Sequence, residues 1–135
     1  MGFFSSLHQF GDWALLVLRI GVGVIFLVHG TQKWAMWKKR PSAEMPAGLL
    51  SVLKFLSIIE PLGGAAAVAG FLTQLAAAGF AIIMVGAIRL KAIQMHKGFS
   101  GEGGWEFEFL LLVAAVALVF LGPGNISLDR VLFGI

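Results

Sequence analysis

Long apolar runs alternate with short polar ones along this chain. Four runs are candidates to cross a bilayer as helices, which takes about 20 residues each. They cover roughly residues 12–33, 49–72, 73–95 and 105–121. Only Leu72-Thr73-Gln74 separates the second run from the third, which predicts a tight hairpin between antiparallel helices. The other two connections, residues 34–48 and 96–104, are longer and polar. With four spans these two loops lie on one side of the membrane, and the hairpin and both termini on the other. Each span offers small residues for close helix contact, among them Gly21 and Gly23, Gly63 and Gly64, Gly79 and Gly86, and Ala114 and Ala115. The expected fold is all-α: an integral membrane, antiparallel four-helix bundle, with residues 1–135 as a single domain. A weak two-fold repeat relates the first pair of spans to the second, because each odd span ends in basic residues plus a His.

Composition agrees with a membrane protein. Hydrophobic residues make up 59% and charged residues 13% of the chain, against roughly 45–50% and about 25% in soluble domains. There is no cysteine, which excludes disulfides, thiol relays and cysteine-ligated iron–sulfur clusters. The first run is not expected to be a cleavable signal peptide, because it lacks a basic leader and Arg19 interrupts its apolar core. Lys33, Lys38, Lys39 and Arg40 border one long loop, and Arg89, Lys91 and Lys97 the other. Positive residues stay in the cytoplasm, so both loops are expected inside, in the plasma membrane (the cytoplasmic or inner membrane) of a bacterium or archaeon. The basic excess lies near helix ends and points to topology, not to nucleic acid.

Glu60 breaks the second apolar run and is followed by Pro61. A carboxylate at that depth costs several kcal/mol unless it is protonated, paired or facing a wet cavity. Pro61 has no N–H, so the carbonyl of Ser57 loses its helical partner and needs another donor. At about 1.5 Å per residue, His29, Arg89 and Glu60 lie about five, six and eleven residues below the loop ends of their helices. On the same ruler Arg19 is only roughly 6 Å from the level of Glu60. Arg19 is therefore the expected partner of Glu60 in a structural ion pair, while Lys54 faces away and can snorkel. His29, Lys33, Glu60 and Arg89 are expected to converge below the loops as a ligand-binding site, with His96 and Glu106 as its rim. Glu108 is explained by the positive end of its helix dipole, and Trp34 and Trp37 by the membrane interface.

These residues, in this order, resemble the DoxX family of small four-span membrane proteins. The resemblance runs through Leu18-Arg19-Ile20-Gly21, His29-Gly30 with Lys33, Glu60 with Gly63-Gly64, and Gly70 with Thr73. It continues in His96 with Gly98-Phe99, the aromatic-Glu-aromatic start around Glu106, and Gly122-Pro123-Gly124 before Ser127-Leu128-Asp129. It implies a membrane four-helix bundle associated with oxidoreductases, some members resembling subunits of thiosulfate:quinone oxidoreductases.

The residues bound that chemistry. Gly21-x-Gly23 lacks a third glycine and lies inside a span, so no dinucleotide fingerprint is present and no flavin is expected. A haem on His29 and His96, or a metal on His29, Glu60, His96 and Glu106, is disfavoured: one His sits in a helix and the other near a loop, and the Glu-x-x-His spacing of di-metal bundles is missing. No catalytic residue is assigned. The expected function is a quinone-linked oxidoreductase subunit that binds a small lipophilic molecule and works with a protein partner, itself a soluble or membrane oxidoreductase. The alternative is a non-enzymatic scaffold for a soluble partner, or a small-molecule carrier.

Overall fold

The computed structural model describes residues 2–135, and no strand occurs among them. Helix α1 (Gly2–Ser6) and a 3-10 turn (Leu7–Phe10) lead into α2 (Gly11–Gln32). A second 3-10 segment, Lys33–Lys38, precedes α3 (Ala47–Ala69). Helix α4 (Thr73–Arg89) is prolonged by a π turn, Leu90–Gln94, and is followed by α5 (Glu106–Leu121) and the short α6 (Leu128–Phe133). Three stretches are long and apolar enough to cross a membrane: Phe4–Lys38, Ala47–Ala69 and Thr73–Gln94. The fourth expected span is a helix in the expected place, but α5 has 16 residues. That is about 24 Å of helix, short of a hydrocarbon core of about 30 Å.

Helix α2 packs along α3, and α4 along α5, while α3 against α4 and α2 against α5 make smaller contacts. Small residues decide how α2 and α3 meet. A Cβ built on Gly23 would lie 2.7 Å from the Gly64 carbonyl oxygen, and one on Gly64 would lie 2.6 Å from that of Gly23. Further along, a Cβ on Gly30 would lie 2.2 Å from Cδ of Pro61. The two backbones touch at these points, as small residues allow in lipid. At the centre Phe26 of α2 stacks on Phe80 of α4 with ring centroids 3.8 Å apart. Val22, Ala67, Ala77, Met84, Leu111, Ala115 and Leu118 complete that core.

This contact sets the register, and it overturns the expected Arg19–Glu60 ion pair. Gly30 against Pro61 brings Lys33 to Glu60, and Gly23 against Gly64 brings Arg19 to Gly70. The depth ruler failed because it assumed that α2 and α3 start level at the loop end. In fact Trp34 sits beside Ser57, so α3 projects about three turns beyond the end of α2.

Arg19 belongs to the opposite end of the molecule. It is fully buried and donates through Nη2 to the Ile126 carbonyl. Beside it, Asp129 ties the C-terminal segment across the hairpin. Its N–H donates to the Gly70 carbonyl (2.8 Å), and its carboxylate accepts from the N–H groups of Leu72 (2.6 Å) and Thr73 (2.9 Å). Those two donors are left free by the start of α4, so Asp129 caps that helix from a distance. The carboxylate of Asp12 in turn accepts from the Asn125 backbone (2.8 Å) and amide (2.7 Å). The turn falls at residues 70–72, two positions earlier than expected, because Gly70 at φ +69° ends α3.

Candidate functional site

The carbonyl released by Pro61 finds its donor in the first loop. Trp34 Nε1 donates to the Ser57 carbonyl at 2.8 Å, and Trp37 Nε1 donates to Ser57 Oγ at 2.9 Å. Ser57 Oγ in turn donates a hydrogen bond to the Lys54 carbonyl at 2.6 Å. An unpaired carbonyl at this depth would cost several kcal/mol. The two indoles are thus more than interface anchors: they lay the Lys33–Lys38 segment along α3. Lys54 stays on that side, its ammonium 5.6 Å from the Trp37 ring centroid.

The same arrangement places Lys33 Nζ in an ion pair with Glu60 Oε2. The Glu60 side chain is 2% exposed and that of Lys33 23%, so the acid is buried and the base partly exposed. A second pair repeats the pattern in the other half of the chain. Lys91 Nζ lies 2.6 Å from Glu108 Oε1 and donates to the Gly104 carbonyl at 3.2 Å. In each half, a lysine just past the loop end of one helix (α2 or α4) meets a glutamate of the next (α3 or α5). The π turn sits at the second lysine, closed by Met95 N–H on the Leu90 carbonyl at 3.0 Å; such turns recur at functional sites.

Between the two pairs lies a cavity of about 800 Å³. Its walls are apolar, with Leu49, Val52 and Leu56 from α3 facing Ile82, Ile83 and Ala87 from α4. Helices α3 and α4 meet nearer the hairpin, where a Cβ on Gly63 would strike the Phe80 ring at 2.8 Å. Towards the loops the cavity separates them, and its side is open: Val52 is 52% and Ile82 74% exposed. The polar lining is His29, Lys33, Glu60, Arg89, Gln94 and Glu108. The His29 ring stacks on Phe107, with centroids 5.6 Å apart.

Four of the residues singled out from the sequence, His29, Lys33, Glu60 and Arg89, therefore line one cavity. Two do not. His96 stands in the exposed second loop in a left-handed conformation (φ +51°), and Glu106 is exposed at the start of α5. The inward acid is Glu108, which the dipole explanation passed over. In the structure Leu111, Ala115 and Leu118 form the buried stripe of α5, and Glu108 extends it one turn back; beyond Glu108 the sequence of α5 is apolar on every side and carries no signal for that face. Glu106 is about 200° around the helix from Glu108. Among the described residues, no three His, Asp or Glu side chains gather as a metal site would need.

Comparison with known proteins agrees with the helical membrane architecture. The chain is 32% identical over 119 residues to "Putative oxidoreductase CatD" of Bacillus subtilis (strain 168), covering 87% of this chain and 86% of that protein. It is 33% identical over 139 residues to "Uncharacterized membrane protein Rv3486" of Mycobacterium tuberculosis (strain ATCC 25618 / H37Rv), covering 92% of this chain and 84% of that one. No solved structure matches. The DoxX family profile matches residues 14–96, a stretch that holds Arg19, His29, Lys33, Glu60 and Arg89. With that match across more than half its length, the chain belongs to the DoxX family of membrane proteins.

Proposed function

We propose that this protein is a four-span subunit of the cytoplasmic membrane that holds a quinone-like molecule in the loop-end cavity while a partner oxidoreductase delivers the electrons. The observation that carries this reading is one cavity with apolar walls, a side opening between α3 and α4, and hydrogen-bond donors gathered at its loop end. A quinone ring is apolar and enters from lipid, and its carbonyl oxygens need donors that also supply protons on reduction. The imidazole of His29 can donate a hydrogen bond and carry a proton to a bound carbonyl oxygen. Lys33 and Arg89 can stabilise charge on a reacting oxygen, and Glu60, joined to Lys33, can relay a proton to it. The name of the Bacillus subtilis relative points the same way.

Titration of a short-chain quinone analogue against the protein in nanodiscs tests this. Wild type binds, and His29→Phe, which keeps the bulk and the stacking on Phe107, binds about tenfold or more weakly, the size of one lost hydrogen bond. A competing scaffold reading draws on the second loop, where Phe99 packs edge-on against Trp105 (4.8 Å) and Phe109 (5.8 Å) and stays 48% exposed. If neither protein binds a quinone and deletion of residues 98–104 abolishes capture of a soluble partner, that reading replaces the first.

Both loops face the cytoplasm in this proposal, since the basic residues border them. The chain has no cysteine of its own, so single replacements report cleanly. Ser42→Cys and Ser100→Cys should be shielded from an impermeant thiol reagent added to intact cells, while a cysteine appended to the C-terminus should react. The opposite labelling pattern inverts the orientation.

A further inference from the structure

The charges around the cavity do not cancel. Lys33 is neutralised by Glu60 and Lys91 by Glu108, which leaves Arg89. Arg89 lines the cavity, and among the described residues no carboxylate or other acceptor partners its guanidinium. The imbalance extends to the whole end of the molecule. At the far end Asp12 and Asp129 offset Arg19 and Arg130, so the chain's excess of +3 lies entirely at the loop end. Beside Arg89 the lining adds the hydrogen-bonding side chains of His29 and Gln94, while both lining acids are already engaged by lysines.

Arg89 ends α4 at the rim of an apolar cavity, and an ionisable residue in such a place marks a functional contact unless it only reaches to the membrane interface. The guanidinium fork also matches the paired oxygens of a carboxylate or phosphate better than a single carbonyl. We infer that the occupant of this cavity is a lipophilic anion, its acidic oxygen head held by Arg89 and its apolar body lying along the α3 and α4 walls. The inference rests on the cavity being the ligand site proposed above, and narrows that ligand to an acid. For a quinone-like molecule it requires a ring that carries an ionised hydroxyl or carboxyl group. The head could belong to a free amphipathic acid or to an anionic phospholipid, and the shared chemistry is the same.

The test compares a naphthoquinone alkanoic acid with its methyl ester, which keeps ring and chain but loses the charge. Wild type in phosphatidylcholine nanodiscs should bind the acid about tenfold more tightly than the ester, as one charge-assisted hydrogen bond provides. Arg89→Gln should bring the acid down to the ester, and Arg89→Lys should keep part of the preference. Arg89 is exposed, so both variants should melt with the wild type, which separates a binding defect from a folding one. Equal binding of acid and ester by wild type overturns the anionic head and leaves the quinone reading standing. A preference that survives in Arg89→Gln removes Arg89 from the site. If neither probe binds, both readings fall. Phosphatidylglycerol added to the nanodiscs identifies the source: competition with the acid points to a lipid head group, and its absence points to a free acid.

Discussion

Lys33→Met destabilises the protein by about 3–5 kcal/mol, the usual cost of leaving a buried charge without its partner. Glu60→Gln costs less, about 1–2 kcal/mol, on the scale of one weakened charged hydrogen bond. The asymmetry follows from access to water. Glu60 is 2% exposed and is paired with Lys33 alone, whereas Lys33 is 23% exposed and can swing its ammonium outward when the acid is gone. The double variant Lys33→Met/Glu60→Gln should therefore recover at least half of the Lys33→Met loss, because it removes the stranded carboxylate. Thermal melts of the four proteins in detergent close the cycle. Equal single losses that simply add in the double variant would show that the two groups do not depend on each other. A parallel cycle of Glu60→Gln with Arg19→Gln should add without coupling. Arg19 lies level with Gly70, ten residues along α3 from Glu60, or about 15 Å.

Gly70→Ala should be nearly as damaging, at about 3 kcal/mol or more, and for a different reason. Gly70 ends α3 at φ +69°, where a side chain alone costs about 1–2 kcal/mol. The added Cβ would also lie 1.6 Å from Arg19 Nη1 and 2.6 Å from Cβ of Ser127. Arg19 is fully buried there and holds the Ile126 carbonyl, so yielding means moving a buried charge. The loss should reach the C-terminal segment, whose attachment uses Arg19 and Asp129 at this point. Two measurements report it: a lowered melting temperature, and faster proteolysis after residue 121. Gly79→Ala is the control, since a Cβ there meets nothing within 4 Å; it should change stability by no more than about 0.5 kcal/mol. A Gly70→Ala variant that melts with the control would show that the hairpin end is looser than its geometry implies.

Much of this protein is local chemistry and could be read from its order of residues. The apolar runs placed α2, α3 and α4 and the position of α5, because helix length in lipid follows from the thickness to be crossed. The Glu60-Pro61 pair announced both a buried charge and a carbonyl without a donor, since each need follows from covalent structure alone. The inward face of α5 is not legible in this way, because its residues from Phe109 to Leu121 are apolar all round and only packing singles out Leu111, Ala115 and Leu118.

Which groups answered those needs was decided between helices. Arg19 lies on α2 and Lys33 directly follows that helix, and a ruler laid on each helix separately favours the wrong one for Glu60. The choice follows from where α2 can slide along α3, and only Gly23 on Gly64 and Gly30 on Pro61 let the backbones close. Likewise Trp34 and Trp37 serve Ser57 because the loop folds back onto α3 beyond the end of α2. The cavity is a further consequence of packing, since it occupies space between α3 and α4 that no single helix encloses. By itself the sequence determined that this chain is helical, apolar enough for lipid and obliged to neutralise a glutamate at depth. Tertiary structure decided the partner of that glutamate, the acid that faces inward and the volume beside them, because register between helices is set by non-local steric contact.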